Sequence, residues 1–223
     1  MSKLPTPQLV RRHIIGGLAA TAAMATLPRF SAEAAQPGLI RTPRQTEGPF
    51  YPVDWLGDSD NDLVLVRGEA AQAMGQVTHI LGRVVDTSGN PIIGASVEIW
   101  QCDANGHYLH PNDRSARGRY DQRFQGRGRM RTGNDGSYTF RTIRPVPYPG
   151  RTPHIHFAIS TPDNARLITQ MYVAGEPLNE RDGILRRISD ARQRDSVIVN
   201  LEPEERLEAG ALAGTFDIVM ARG

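Results

Sequence analysis

The tripeptide His154-Ile155-His156 sets two imidazoles two residues apart. In a strand that spacing puts both on one face, separated by roughly 6.5 to 7 Å of rise, so both can turn onto one ion while Ile155 faces the other way into a core. Alone, His-x-His is a weak sign, shared by zinc, copper and ferrous sites and by chance. Two tyrosine-bearing loops narrow it: Asn105-Gly106-His107-Tyr108 and Arg144-Pro145-Val146-Pro147-Tyr148-Pro149. A free phenol ionises only at about pH 10, so a tyrosinate at neutral pH needs a strongly Lewis-acidic partner. Ferric iron is hard, highly charged and prefers anionic oxygen, whereas softer or less charged ions leave tyrosine protonated. Taken singly, each tyrosine would in most proteins be a packing residue or a turn contact.

Strands are the elements that must position these groups. His79 to Val85 is a short β-rich run, and Ser88-Gly89-Asn90-Pro91 is a turn. Beyond it Ala95, Val97 and Ile99 alternate with Ser96, Glu98 and Trp100, which predicts two adjacent strands joined by that turn. Asn134-Asp135-Gly136 is a second strong turn signal before Ser137 to Ile143, where Tyr138 and Phe140 share one face and Thr139 and Arg141 the other. His154 to Ile159, Leu167 to Val173, Val197 to Leu201 and Phe216 to Met220 read as further strands. Helical spacing is convincing only over Glu180 to Ser189, where Ile184, Leu185 and Ile188 fall on one side. Many short strands with few helices indicate an all-β fold: an antiparallel β-sandwich core with irregular loops and one or two short helices.

The chain of 223 residues, 39% of them apolar, suits one globular domain, read here as 77–223. Residues 35–76 are punctuated by Pro and Gly and lack apolar periodicity, which predicts an extended arm wrapping that domain. Residues 1–34 read as an address: Arg11-Arg12, a mild Ala- and Gly-rich segment from Gly16 to Leu27, then Ala32-Glu33-Ala34 as a small-x-small cleavage site. The paired arginines resemble a twin-arginine signal and predict export, periplasmic or extracellular. The apolar run is shorter than the roughly 20 residues that span a bilayer, so no stable membrane anchor is expected. The segment carries a local net charge of +3, so the formal +2 of the whole becomes −1 without it, and overall charge lends no support to a nucleic-acid partner. Cys102 is the single cysteine, which excludes an intrachain disulfide even for an exported chain. Between Arg114 and Arg131 seven arginines, Arg114, Arg117, Arg119, Arg123, Arg127, Arg129 and Arg131, face one acid, Asp121. By composition this is a loop, either solvated or touching a subunit, or else a positive rim that steers carboxylated aromatic substrates.

Five motifs in order carry a resemblance. They are Thr46-Glu47-Gly48-Pro49-Phe50-Tyr51; Ile99-Trp100-Gln101 with Gly106-His107-Tyr108; Thr142-Ile143-Arg144-Pro145 with Pro147-Tyr148-Pro149; His154-Ile155-His156-Phe157; and Leu-Ile-Thr-Gln-Met-Tyr at 167–172. Together they resemble the intradiol ring-cleaving dioxygenases from Thr46 to about Met220. The resemblance implies one Fe(III) per chain, with Tyr108 and His156 as equatorial ligands, Tyr148 and His154 as axial ones, and a hydroxide completing the resting site. It implies a catechol-type substrate and O2, with Tyr148 leaving as the catechol binds through both oxygens. The ring then opens between its two hydroxylated carbons to a muconate-type diacid. Arg151 matches an arginine that stabilises charge developing on the substrate, a task suited to a group that stays charged and offers several donors. Gln170 matches a glutamine that orients Arg151 or the substrate.

Two departures stand out. Tyr148-Pro149-Gly150-Arg151 is compact where the best-known members carry an insertion, which removes part of the usual pocket wall. The helical N-terminal dimerisation region of one branch is also missing, which leaves a homo-oligomer or a related partner chain open. Two other readings compete. Gly82-Arg83-Val84-Val85-Asp86 through Gly94-Ala95-Ser96-Val97 resembles a carboxypeptidase-regulatory-like β-sandwich, a carbohydrate- or protein-binding module without catalysis. The histidine pair also suits a different non-haem metalloenzyme, a zinc hydrolase or a ferrous oxygenase, neither of which needs two tyrosinates.

Overall fold

A computed structural model of the protein describes residues 39–221. The segment read as a twin-arginine signal, 1–34, lies outside them. Among the described residues ten strands form: β1 (Val77–Asp86), β2 (Ser96–Trp100), β3 (Arg127–Arg131), β4 (Ser137–Ile143), β5 (His154–Ser160), β6 (Arg166–Val173), β7 (Ile198–Val199), β8 (Glu202–Pro203), β9 (Leu212–Thr215) and β10 (Ile218–Met220). They build two five-stranded sheets, one ordered β10-β1-β9-β8 with β4 also on β1, the other ordered β3-β2-β5-β6-β7. The all-β sandwich predicted from the alternation of apolar residues is what forms. Ile80, Val84, Tyr138 and Phe140 of one sheet meet Val97, Ile99, Ile155, Phe157 and Ile159 of the other in one buried core.

The antiparallel pairs β1–β4, β2–β3, β2–β5, β5–β6 and β8–β9 dominate, but each sheet also carries parallel pairing, β1 with β9 and β10, and β6 with β7. β9 and β10 hold the same register against β1, with Leu81 opposite Thr215 and Val84 opposite Ile218. They are one edge interrupted at Phe216 and Asp217. At that break Asp217 Oδ1 accepts the Arg83 amide at 2.9 Å and the Tyr138 hydroxyl donates to the Phe216 carbonyl. A side chain on Gly82 would collide with that carbonyl, so only glycine lets β1 pass.

Three expectations need correction. β1 and β2 do not pair: the turn Ser88-Gly89-Asn90-Pro91 folds back only as far as a bridge between Val85 and Pro91, with the Ile92 amide on the Val84 carbonyl at 2.9 Å, and β2 then lies in the other sheet. Asp86 shapes the turn itself, its carboxylate accepting the Ser88 and Asn90 amides, each at 2.9 Å. The arginine-rich stretch is not loop throughout, since its last five residues form the edge strand β3. There the Asp60 carbonyl and Leu63 fill the place of a Gly128 side chain, so the apolar alternation that marks a strand is lost from the sequence. The single helix over Glu180 to Ser189 is instead two 3-10 turns, Pro177–Glu180 and Leu185–Arg187, with a short α-helix, α1 (Ala191–Asp195), beyond it. Asp182 breaks it: Oδ1 accepts the Ile184 and Leu185 amides at 2.9 and 3.0 Å.

Residues 39–76 contain no strand longer than an isolated bridge, Asp62 to Arg141. They lie against both sheets through backbone bonds from Thr42 to Val219 at 3.0 Å, Gln45 to Ile168 at 2.8 Å and Leu63 to Arg141 at 2.7 Å. Among the described residues no helix is long and apolar enough to cross a membrane.

Candidate metal centre

β5 is buried on both faces, unusual for a strand of an antiparallel sheet, whose outer face commonly meets water. Ile155, Phe157 and Ile159 enter the main core. His154, His156 and Ala158 turn outward under a second apolar cluster of Trp100, Cys102 and Tyr108, closed by Phe50, Tyr51, Val146 and Tyr148. The arm forms part of this lid. Gly48 passes so close over His156 that an added Cβ would stand 3.3 Å from its Cε1, and φ of +77° at Gly48 independently favours glycine. Phe50 stacks on Tyr108 with ring centroids 4.5 Å apart.

The two tyrosines come from loops built by local chemistry. Asp103, fully buried, accepts the Asn105 and His107 amides at 2.9 and 3.0 Å, and Asp113 accepts the Tyr108 amide at 2.8 Å. Tyr148 begins a tight turn closed by the Arg151 amide on the Tyr148 carbonyl at 2.9 Å. Pro149 followed by Gly150 at φ +82° is the pattern of a type II turn. The shortened loop therefore sets Tyr148 and Arg151 side by side.

All six residues singled out in the sequence meet here. His154 Nε2 and His156 Nε2 lie 3.2 Å apart. Tyr148 packs on His154 with centroids 5.4 Å apart, and Tyr108 stands nearly perpendicular to Tyr148 at 5.5 Å. The Thr152 carbonyl lies 2.6 Å from His154 Nδ1, which assigns the proton to that nitrogen and leaves Nε2 with a free lone pair. Trp100 stacks on His156 at 4.8 Å and 11°. His156 Nδ1 is buried with no hydrogen-bond partner, and the buried Tyr108 hydroxyl interacts only with the Tyr148 phenol, outside ordinary hydrogen-bond geometry. Arg151 donates through Nε to Asp182 Oδ2 at 2.8 Å and through Nη2 to Gln170 Oε1 at 2.6 Å, while Nη1 lies 3.4 Å from the Tyr148 hydroxyl. Gln170 is held in turn, its Nε2 donating to the Thr46 carbonyl at 2.9 Å and its Oε1 also accepting from Tyr172 at 3.1 Å.

Burial, reinforced by the Arg151 charge, drops His154 to about 3, and burial with the neighbouring His154 pushes His156 well below its ordinary value. Both are neutral donors at neutral pH. Burial holds the Tyr108 phenol well above its usual range and raises Tyr148 too, against the pull of Arg151. Burial likewise pushes Cys102 up to about 12, so it is a packing residue and not a thiolate. Among the described residues no group of three His, Cys, Asp or Glu could hold a metal. A cation at this place needs the phenols.

An open cleft on the outer side of Tyr108 is lined by Val53, Leu109, His110, Arg117, Gln122 and Arg127, among others. Of the arginine-rich stretch, Arg127 is taken by Asp54 and the Leu56 carbonyl, and Arg129 lies over Trp55. Arg117 is the exposed arginine that reaches this cleft. Sequence reasoning missed Asp182 and Thr152, whose only trace is an Asp-Gly turn signature and a hydroxyl residue thirty positions away.

A family model described as Dioxygenase matches residues 46–222. The chain is 36% identical over 185 residues to the protocatechuate 3,4-dioxygenase beta chain of Burkholderia cepacia, covering 79% of this chain and 78% of that one. It is 35% identical over 148 residues to a hydroxyquinol 1,2-dioxygenase of Corynebacterium glutamicum, covering 58% of this chain but only 45% of that enzyme. Among solved structures, the dioxygenase domain of a dioxygenase carbohydrate-binding protein fusion from Streptomyces sp. SirexAA-E superposes with a TM-score of 0.64 at 31% identity, over 82% of this chain and all of that one. An intradiol ring-cleavage dioxygenase from Tetranychus urticae gives 0.63 at 25% identity, over 82% of this chain and 96% of that one.

Proposed function

The chain belongs to the intradiol ring-cleaving dioxygenases, a family of oxidoreductases, and from that premise we propose that it opens a catechol-type ring between its two hydroxylated carbons with O2, giving a muconate-type diacid, at one Fe(III) held by Tyr108, Tyr148, His154 and His156. The observation that carries this reading is the convergence of two buried imidazole Nε2 atoms 3.2 Å apart with the two phenols, of which the buried Tyr108 hydroxyl has no well-formed hydrogen bond and only the Tyr148 phenol as an interaction partner. An unsatisfied buried hydroxyl costs about 1 to 3 kcal/mol unless something binds it. Two neutral nitrogens and two phenols fit a hard trivalent ion, since burial alone keeps both phenols protonated. Bound there, the ferric ion supplies the Lewis acidity that ionises the phenols and activates a catecholate towards O2.

The remaining work falls to side chains. Tyr108 is buried and stacked under Phe50, which would make it the fixed phenol, whereas Tyr148, half-exposed between Pro147 and Pro149, would be the phenol that yields its place to an entering catechol. Ionised by the ion it would help hold, its Oη would be the atom placed to accept a catechol hydroxyl proton. Arg151 Nη1, 3.4 Å from that oxygen, stays charged beside the position the substrate takes and stabilises negative charge growing there. Gln170 keeps the guanidinium plane aimed. The second apolar cluster, with Phe50 and Trp100, excludes water from reactive species. A binding module without catalysis has no use for a buried phenol without a well-formed hydrogen bond.

Purified protein loaded with ferric iron should be burgundy from tyrosinate charge transfer and should consume O2 when catechol is added. A colourless loaded protein without catechol-dependent oxygen uptake would exclude the proposal.

A further inference from the structure

Asp182 lies outside every motif that marks the centre, yet it is bonded to two of the centre's supports at once. Its side chain is completely buried. Oδ2 accepts Arg151 Nε at 2.8 Å and the Thr152 amide at 3.1 Å, and Oδ1 accepts the Ile184 and Leu185 amides at 2.9 and 3.0 Å. Four donors therefore saturate one carboxylate. Each bond has a direct consequence nearby. Anchoring Nε, with Gln170 on Nη2, leaves Nη1 as the guanidinium nitrogen facing Tyr148 Oη. Anchoring the Thr152 amide fixes the peptide whose own carbonyl, 2.6 Å from His154 Nδ1, sets that ring's tautomer. Thr152 is further tied through its hydroxyl to Asn179 Oδ1 at 2.7 Å, in the same 3-10 segment that leads into Asp182.

We propose that Asp182 is a positioning residue of this enzyme: one buried carboxylate aims Arg151 at the substrate position and holds the Thr152 peptide that orients His154. The proposal rests on the catechol-cleaving reading for its functional half, and on the geometry alone for the pairing. A neutral amide cannot replace it. In Asp182→Asn the Nδ2 must face donors whichever way the amide turns, either Arg151 Nε and the Thr152 amide or the Ile184 and Leu185 amides, and in both cases Arg151 loses its countercharge in a buried site.

The test is a double-mutant cycle on full-length iron-loaded protein with Asp182→Asn, Arg151→Gln and both together. Asp182→Asn should lower kcat on catechol by about 10- to 100-fold with a much smaller change in KM. Added to Arg151→Gln it should cost little more, because its main route to the reaction is already gone. Wild-type kcat in Asp182→Asn, or losses that multiply in the double variant, would overturn the proposal. Unfolding midpoints of the metal-free proteins give a second reading independent of turnover. Each single variant strands one buried charge, so the double variant should be no less stable than the worse single one, and additive losses would overturn the pairing. A wild-type protein inert towards catechol would sink the catechol-cleaving reading, while the midpoints still decide whether Asp182 holds Arg151. Should Asp182→Asn alone fail to fold, a folded double variant supports the pairing and an unfolded one refutes it.

Discussion

Tyr108 and Tyr148 are the same residue type in two different surroundings, and the difference assigns their parts. Tyr108 is fixed by its amide on Asp113 and by the Phe50 ring, and its hydroxyl has no well-formed hydrogen bond, only the Tyr148 phenol beside it. Removing that hydroxyl should therefore not weaken the metal-free protein. Tyr108→Phe is expected to hold or raise its denaturant midpoint, by up to about 1 kcal/mol, since only an unsatisfied group is lost. The same variant should retain less iron and lose much of the visible band. A clearly lowered metal-free midpoint would mean that the hydroxyl is hydrogen-bonded after all. Both tyrosines were singled out as candidates by the ordered run of motifs around them rather than by residue type alone. That Tyr108 is the buried one was not legible there, because its cover comes from Phe50, 58 positions earlier in the chain.

At the scale of elements, the short turn Tyr148-Pro149-Gly150-Arg151 brings a phenol and a guanidinium to 3.4 Å. Gly150 sits at φ +82° with open space where a Cβ would go. Gly150→Ala thus tests backbone conformation alone and should cost about 1 kcal/mol of stability. It should also lower catechol turnover by displacing Tyr148 from Arg151. An unchanged midpoint and turnover would show that the turn adopts another form at no cost. Strands were readable wherever alternation was clean, as in β4 and β5. β3 was hidden by arginines on an edge and by Gly128, and the helix expected over Glu180 to Ser189 was broken by a side chain that competes for its amides. Local pattern carries no record of either competition.

Across the whole molecule, Arg141 of β4 ties distant segments together. It donates to both oxygens of Glu208 at 2.7 Å and of Asp62 at 3.0 and 3.1 Å, and Glu208 also meets His79 of β1 at 3.4 Å. The hydrogen bonds from Arg141 hold the Glu208 carboxyl below the ordinary glutamate range. A depressed folded value means that this contribution is complete above the unfolded pKa, at about pH 4.3, and is lost as pH falls through the lower folded value. Stability should decline as pH drops below that point, and Glu208→Gln should flatten the decline. An identical pH slope in the variant would show that the cluster is neutral to folding.

What the sequence determined by itself was the all-β class and the shared face of His154 and His156, because two-residue periodicity carries both, while an ordered run of motifs singled out Tyr108, Tyr148, Arg151 and Gln170 as candidates beside them. Only the tertiary structure decided that β1 and β2 part into different sheets, that the outer face of β5 is sealed by the arm, and that Asp182 underlies Arg151. Those outcomes depend on contacts between residues far apart in the chain, where hydrogen bonding and burial outweigh local preference.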